Sequence, residues 1–325
     1  MTTTRPWHPP RAVSGPHRIG LTDIDAVNRV FSDAFTERYR RDGMVGVRVP
    51  QLNPAIWRYA IEDARDGAML WRDEQGEVIA FNVAHRSGVE GWMGPLAVRP
   101  EWQGTGLGKA IVTEGIAWLR ANGCVVIGLE TMPRTMDNIG FYSGLGFLPG
   151  RLTITLTVEA AERDRPLSLI GNVPASGRQA SLHACRELTK EVVPGYDFTR
   201  ELELTLDLGL GDVAVIYTGT QLDGFALFHS ASLVEGRSRD ELRVLKMVLR
   251  HVDVIERMAE SLADAARRTG TRRVAMRVQS EYGEVYRRLV EKGARVRWTD
   301  LRMTVRGFEE RRAVGDAVVF SNWEI

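Results

Sequence analysis

Cysteine is scarce in this sequence: its 325 residues include only Cys124 and Cys185. Two cysteines cannot make a disulfide framework or a cysteine-rich metal site, and they fit a reducing compartment, which we expect to be the cytoplasm. His85 and His251 have no partners at metal-ligand spacing, so we expect no metal. The sequence also lacks any run of about 18 apolar residues, so it offers no candidate for a membrane-spanning helix.

A surplus of either charge is also missing. Forty-three basic and 42 acidic side chains leave a formal net charge of +1, which gives no reason to expect nucleic acid or an anionic membrane as a partner. The apolar fraction of 44% is that of a globular protein, and the length predicts two domains. Residues 1–17 have no apolar core, so we expect a flexible arm there.

Helix and strand patterns divide the remaining chain into two similar halves. Helical spacing and alternating apolar residues predict the order α, α, β, β, β, α, β, α, β over residues 18–158. A charged segment ending in a proline then predicts a linker over residues 159–177, and the pattern recurs over residues 178–325. The fold class is therefore α/β (α+β), in two domains.

A constant offset of 147 residues relates the halves. It superposes Gly123 on Gly270 and Gly146 on Gly293, and each of these glycines follows a predicted helix. Repeats at a fixed period indicate repeated structural units, so the sequence predicts two copies of one fold.

Glycine is concentrated at one point, in the stretch RPEWQGTGLGKAI (residues 99–111), which follows a predicted strand and opens a helix. Backbone N–H groups at a helix start attract anions, and glycine lets a phosphate approach the backbone. The glycine spacing matches neither common nucleotide-binding loop. The alternative is a tight strand-to-helix connection without a ligand.

Two motifs resemble those of the GNAT acetyltransferase family. The first is the acetyl-CoA motif, in which Gln103, Gly106 and Gly108 occupy the family's motif positions. The second is NIGFYSGLGF, Asn138–Phe147, with an Asn, a Tyr and then Leu-Gly-Phe. The resemblance covers residues 18–158 well and the second half by architecture only. It implies that each domain is a mixed, mostly antiparallel sheet flanked by helices.

The resemblance also implies an acetyl-CoA site. The pantetheine arm would lie between two strands that diverge, along the backbone of Leu96, Ala97 and Val98. Asn138 matches an Asn on the coenzyme side, and it is also a good N-cap for the helix predicted from that residue. The pyrophosphate would be held by backbone N–H groups in the segment that comprises Gln103, Gly104, Thr105, Gly106, Leu107, Gly108 and Lys109.

Acyl transfer from a thioester needs a neutral amine, an oxyanion donor and a proton for the leaving thiolate. Tyr142 occupies the family's general-acid position, with core packing as the alternative. The backbone N–H near Leu96 is the implied oxyanion donor. Glu130 ends a strand that borders the reaction centre in this family, where it is either the base or a solvated strand end. Asp33 and Glu37 either bind a cationic acceptor or form a wet helix face.

The second half lacks these features. The offset of 147 places Asp253 on Gly106, Ile255 on Gly108 and Leu289 on Tyr142. A carboxylate repels phosphate, and leucine cannot donate a proton, so we expect a degenerate GNAT-like domain.

The two halves are expected to share a sheet. The second half ends in a strand pattern, residues 316–325, and the first half has a weaker one, Leu167–Asn172. We expect one of these to complete a sheet across the domain boundary, so that truncation after Gly315 destabilises both domains.

The function predicted from the sequence is transfer of an acetyl group from acetyl-CoA to a primary amine by direct attack in a ternary complex. A small-molecule acceptor is favoured. The alternatives are a protein lysine or N-terminal amine, and a non-catalytic acetyl-CoA-binding regulatory module. We expect a monomer or a homodimer.

Overall fold

A computed structural model describes residues 12–163 and 166–324. Within these ranges, twelve strands form one mixed sheet, and eight α-helices accompany it. In the first half, the elements are β1 (Val13–Arg18), α1 (Ile24–Arg41), α2 (Pro54–Ala64), β2 (Ala68–Asp73), β3 (Val78–Ser87), β4 (Glu90–Val98), α3 (Leu107–Ala121), β5 (Val126–Thr131), α4 (Met136–Gly144) and β6 (Phe147–Glu159).

The second half repeats most of this order. Its elements are α5 (Ala175–Val192), α6 (Thr199–Asp207), β7 (Gly211–Thr218), β8 (Gln221–His229), β9 (Glu241–Leu249), α7 (Ile255–Arg268), β10 (Arg273–Gln279), α8 (Gly283–Glu291), β11 (Arg295–Val305) and β12 (Val318–Ser321). The two predicted hairpins and the long helix that precedes Gly123 and Gly270 are confirmed.

The sequence patterns missed two elements and misplaced two helix starts. Strand β1 lies partly in the predicted arm, although residues 1–11 are outside the described residues. All six residues of β1 are exposed, so no apolar alternation marks it. Helix α6 was missed, and α5 begins inside the predicted linker. Helix α4 begins at Met136 with Thr135 as its N-cap residue, so Asn138 lies within the first turn and does not cap the helix.

Helix α2 shows how the local sequence sets an element. The side chain of Asn53 accepts a hydrogen bond from the N–H of Ala55 at 3.0 Å, and Pro54 follows at the first helical position. Both features favour a helix start. Ile56 and Trp57 are fully buried, so two adjacent faces of this helix pack against other elements.

The halves exchange one strand each. The sheet runs β1-β2-β3-β4-β5-β11-β6-β10-β9-β8-β7, and β12 pairs with β9. Strand β11, from the second half, therefore follows β5, and β6, from the first half, lies between β11 and β10. All described pairings are antiparallel except β4–β5 and β9–β10.

This exchange corrects the expectation about the shared sheet. The last strand, β12, pairs with β9 of its own half, and Leu167–Asn172 contributes only a bridge from Leu169 to Ala214. The strand that crosses the boundary is β11, because it pairs with both β5 and β6. Beyond β12, Trp323 also crosses into the first half, where its ring lies against Gly128 of β5.

The repeat holds in the helices and slips in one strand. Gly123 and Gly270 have φ of 78° and 71°, and Gly146 and Gly293 have 91° and 92°. All four residues have a left-handed backbone conformation, which favours glycine. In the first half, however, Glu90 pairs with Val126, whereas Arg273, the counterpart of Val126, pairs with Glu241. The gap-free offset is therefore wrong for β9, whose register lies four residues further along the chain.

We predict that Gly128→Ala destabilises the protein by about 1–3 kcal/mol, because the new methyl group would overlap the buried Trp323 ring. Gly140→Ala is the control, since nothing lies near its Cβ position and alanine favours a helix by about 0.5–1 kcal/mol. Urea unfolding of both variants measures the difference. Equal stability of Gly128→Ala and the wild type would contradict the packing of Trp323 on β5.

Candidate active site

Strands β4 and β5 diverge, which opens a gap in the sheet. They pair in parallel only from Glu90–Val126 to Met93–Leu129. The pairing of β4 with β3 shifts at the same point, because Ala84 faces Met93 whereas Asn82 faces Leu96. The two residues between, Gly94 and Pro95, form a β-bulge, which bends a strand. Beyond the bulge, β4 follows β3 and leaves its other edge unpaired by β5.

The backbone of Leu96 and Val98 faces this gap. The Val98 carbonyl accepts a hydrogen bond from the Gln103 side chain at 3.0 Å, whereas the Arg99 N–H bonds to Ile79 of β3. Alternate residues of a strand direct their N–H and C=O groups to opposite edges. Leu96 and Val98 therefore present N–H groups to the gap, and Ala97 bonds towards β3.

The glycine-rich loop lies at the end of this gap. Gly104 and Gly106 have φ of 79° and 93°, and Gly106 is the N-cap residue of α3. Left-handed glycines beside a helix start direct successive N–H groups to one side, which makes an anion-binding concavity. Thr105 fixes the turn by donating to the Trp102 carbonyl at 2.7 Å. Leu107 is buried and anchors the helix, while Lys109 is exposed.

The third glycine of the motif has a different environment. Gly108 lies inside α3, and its Cβ position would be 3.5 Å from the Phe141 ring, an ordinary contact. The two glycines therefore differ. Gly108 packs beside α4, whereas Gly106 is needed for its left-handed φ. Asn138 of α4 lies 3.4 Å from the Thr131 hydroxyl and connects α4 to the end of β5.

Tyr142 is buried beside the loop. It belongs to the same apolar cluster as Val98, Leu107 and Ile111, and it packs edge-on against Phe147. Burial raises the pKa of its phenol to about 12. The phenol therefore keeps its proton at physiological pH and can act as a donor.

Glu130 lies in a buried ion cluster at the junction of the two halves. Its carboxylate bonds to Arg277 of β10, to Arg302 of β11 at 2.8 Å and to the Thr153 hydroxyl at 2.6 Å. Burial alone would raise the pKa of Glu130, but Arg277 and Arg302 hold it at about 2. A carboxylate of that pKa, with both oxygens engaged, is a poor proton acceptor near neutral pH.

The other acidic candidates lie on the surface of α1. Asp33 pairs with Arg48 at 2.7 Å, and Glu37 pairs with Arg40 and Arg41. Exposed pairs of this kind contribute little to stability. This is the wet helix face that was one of the two interpretations of the sequence.

Comparison with known proteins agrees with this geometry. Residues 27–147 match the family model described as the acetyltransferase (GNAT) family. This match lies within the first half of the chain and includes both motifs quoted above. A curated relative, chloroplastic serotonin N-acetyltransferase 2 of Oryza sativa subsp. japonica, is 30% identical over 126 residues. That match takes in 38% of this chain and 56% of the relative, so the chain spans about half of the relative's length.

Solved structures share the fold across both halves. A putative acetyltransferase from Pyrococcus horikoshii is 15% identical, with a TM-score of 0.66 over 99% of this chain and 98% of that chain. A GCN5-related N-acetyltransferase from Sphaerobacter thermophilus is 18% identical, with a TM-score of 0.57 over 90% of this chain and 94% of that chain. A tandem GNAT protein from the clavulanic acid biosynthesis pathway is 12% identical, with a TM-score of 0.56 over 90% of this chain and 98% of that chain. These matches confirm a tandem GNAT fold.

The second GNAT-like half keeps the bulge and loses the gap. Strand β9 has its bulge at Leu245, because Leu227 faces Lys246 whereas Phe228 faces Val244. Strand β9 pairs with β10 only near its start, as β4 does with β5. The remaining segment, Lys246–Leu249, pairs with β12 in antiparallel register. A strand of the chain itself thus occupies the place that is open in the first GNAT domain.

The loop between strand and helix also differs in this half. This loop is shorter than its counterpart in the first half. The helix after it keeps the offset of 147 residues, whereas β9 lies four residues further along the chain than that offset predicts. Asp253 pairs with Arg288 at 2.7 Å, and Ile255 and Leu289 are buried in the core. These replacements stabilise the fold and leave no glycine concavity.

The part of the chain that the structure describes contains neither a metal-ligand cluster nor a membrane-spanning helix. No cluster of three or more histidine, cysteine or acidic side chains there could hold a metal ion. No helix in the same ranges has the length and apolar character needed to cross a bilayer.

We predict that Glu130→Gln lowers the free energy of unfolding by about 3–5 kcal/mol at pH 7, because it leaves two buried guanidinium groups short of a partner. Glu130 has a lowered pKa, so its stabilising effect is present above the ordinary carboxyl range and is lost as the pH falls towards about 2. Glu114→Gln, on the exposed face of α3, is the control and should change little. A Glu130→Gln protein of wild-type stability but with reduced turnover would favour the base role instead.

Proposed function

We propose that this protein is an acetyl-CoA-dependent N-acetyltransferase that acts on a small-molecule primary amine. The observation that carries the proposal is the gap between β4 and β5, with the glycine loop at one end and the bulge at the other. Its free backbone edge fits an extended amide-bearing chain, and its loop fits a pyrophosphate. Members of the matched family are acetyltransferases, which supports this interpretation.

The residues predicted from the sequence would bind different parts of acetyl-CoA. The carbonyl of Leu96 and the backbone of Val98 would bond the pantetheine amides, and the N–H groups from Gln103 to Lys109 would hold the pyrophosphate. Both contacts use the backbone, so they depend on residue identity chiefly through glycine. Thr105 and Leu107 keep the loop in place. Asn138 lies on the same side, next to α4.

Catalysis then requires few side chains. A backbone N–H at Leu96, next to the bulge, would donate to the oxygen that becomes negative in the transition state. Tyr142 would donate a proton to the leaving thiolate. A thiol has a pKa of about 8.5, so the thiolate needs only a weak acid nearby.

The nature of the acceptor rests on the curated relative. That protein carries the name of an enzyme for serotonin, a small amine, and this favours a small-molecule acceptor over a protein lysine or N-terminal amine. Cys124 and Cys185 are both free and buried, which fits a reducing cytoplasm. In the second half, β12 occupies the place of a pantetheine arm, so we propose one acetyl-CoA site per chain, in a monomer or a homodimer.

An acceptor screen tests the proposal. Thiol release from acetyl-CoA is followed with tryptamine, 2-phenylethylamine, spermidine, glucosamine and a lysine-containing peptide. Faster release with a small amine than with the peptide is the expected result. Preference for the peptide would favour the protein-acetylating alternative. Binding of acetyl-CoA without any release would favour the regulatory module.

We predict that Gly106→Asp abolishes the rise in melting temperature caused by acetyl-CoA, because a carboxylate and a left-handed strain enter the proposed pyrophosphate site. Gly123→Asp is a matched control at the other end of the same helix. It also has a left-handed φ, 78°, and open space around it, so the two variants carry similar strain. A Gly106→Asp protein that acetyl-CoA still stabilises would contradict the loop assignment.

We predict that Tyr142→Phe lowers kcat by about 10- to 100-fold with little change in acetyl-CoA affinity, because it removes the proton donor and keeps the buried ring. Since the pKa of Tyr142 is about 12, the loss should be the same from pH 6 to pH 10. Tyr217→Phe, on the half-exposed surface of β7, is the control. Unchanged turnover in Tyr142→Phe would remove the acid role.

A further inference from the structure

The residues that follow β12 run past the proposed reaction centre of the first GNAT domain. Strand β12 pairs with β9, and the Asn322 N–H continues this pairing to the Leu245 carbonyl at 2.9 Å, opposite the second bulge. The chain then leaves the second half. We call residues 322–324 the C-terminal segment.

Trp323 anchors this segment in the first domain. Its side chain is 1% exposed, and its indole N–H donates to Glu90 at 2.9 Å. The Arg302 guanidinium lies over the ring, 4.0 Å from its centre. The Trp323 carbonyl oxygen is 3.4 Å from the Cβ position of Gly94, the first residue of the β4 bulge. The next residue, Glu324, therefore lies close to the end of the gap where the acyl group is proposed to lie.

Glu324 presents a carboxylate at this point. Its side chain is 50% exposed, although one carboxylate oxygen forms an ion pair with Arg277 at 2.9 Å. Its N–H bonds to the Asn322 side chain at 3.2 Å, which closes the turn. Glu324 can therefore reach a ligand without leaving its position.

Glu324 is the accessible member of a cluster of carboxylates and guanidinium groups. Arg277 also bonds to Glu130 and, at 3.0 Å, to Asp300, so three carboxylates surround one guanidinium. Arg302 shares Glu130 but is also paired with Glu310. The cluster thus contains four carboxylates, and two further guanidinium groups act on them: Arg151 pairs with Glu310 at 3.6 Å, and Arg243 lowers the pKa of Glu324. Of these four, Glu324 is the one that is half exposed, and Glu130 and Asp300 are nearly fully buried.

We propose that Glu324 binds the ammonium group of the acceptor and takes its proton, so that the last described residue of the degenerate half acts as a catalytic residue for the first domain. This assignment rests on the proposed acetyltransferase function. It gives the C-terminal segment a role in acceptor recognition that neither GNAT motif contains.

The proton balance is simple. The ammonium group transfers one proton to the Glu324 carboxylate and becomes a neutral amine. The amine nitrogen then bonds to the acyl carbon while the carbon–sulfur bond breaks, and the electron pair leaves with sulfur. The thiolate gains a proton from Tyr142, and the second proton lost by the nitrogen passes through solvent to the Tyr142 phenolate and restores the phenol, so one thiol and one amide form. Glu324 finally returns its proton to water.

The titration of Glu324 agrees with this role. Its side chain is half exposed, and burial of the remainder raises the pKa of Glu324 to about 7; Asp300 and Glu130 add to the rise, and Arg277 opposes it. Arg243 of β9 also lowers the pKa of Glu324. From α1, Tyr39 faces the same carboxylate, and burial, with Glu324 next, raises the pKa of that phenol.

The test compares Glu324→Gln with the wild type, using the amine of the screen that has the highest kcat/KM. Glutamine keeps an oxygen for Arg277, so the fold should be retained. We expect kcat/KM at pH 7 to fall by about 100-fold, with unchanged acetyl-CoA binding. Wild-type kcat/KM should level off above about pH 7. In Glu324→Gln it should keep rising towards the pKa of the amine, because the variant depends on amine that is already neutral.

Glu260→Gln, an exposed carboxylate on α7, is the control, and Glu324→Asp should restore part of the activity. A Glu324→Gln enzyme with wild-type kcat/KM and a wild-type pH profile would overturn the assignment of Glu324 and leave the proposed function intact. A wild-type protein inert towards every amine of the screen would overturn the proposed function, and the Glu324 assignment with it.

Discussion

The exchange of β6 and β11 is the constraint on which the rest of the structure depends. Strand β11 pairs with β6 from Arg295–Thr157 to Val305–Phe147 and also with β5, and β6 pairs along its other edge with β10. Buried backbone groups need hydrogen-bond partners, so neither half can keep a complete sheet without the other. The exchange places the end of β5, where the first GNAT domain has its gap, directly against strands of the degenerate half.

Buried charge at this junction follows from the exchange. Glu130 comes from β5, Arg302 from β11 and Arg277 from β10, and each is almost fully buried. A buried ion is costly unless it is paired and hydrogen bonded. The pairing here joins β5 of the first half to β10 and β11 of the second half. The cluster therefore fixes the C-terminal segment against the end of β5, since Arg302 also bonds to the Ser321 carbonyl and stacks on Trp323.

The two halves differ in how the strand edge beyond the bulge is paired. A bulge in β4 ends its pairing with β5, and a bulge in β9 ends its pairing with β10, so each bulge leaves a strand edge that this neighbour does not pair. In the second half, β12 satisfies that edge permanently. In the first half the edge stays open, which is the physical basis for proposing a ligand with amide groups there. The degenerate half thus gains stability from the place where the other half gains its proposed function.

The sequence by itself determined the fold class, the repeat and the place of the glycine loop, because these depend on local periodicity, on left-handed glycines and on short motifs. It also singled out Tyr142 through a short motif, and the acid role of Tyr142 stays a prediction. It did not reveal the strand exchange, because β6 and β11 have the same apolar alternation whichever half they join. Nor did it reveal that Glu130 is held by Arg277 and Arg302, or that Glu324 lies at the bulge. Those contacts join residues more than a hundred positions apart, and only the tertiary structure decided them, since packing and charge pairing across the junction leave no pattern in the local sequence.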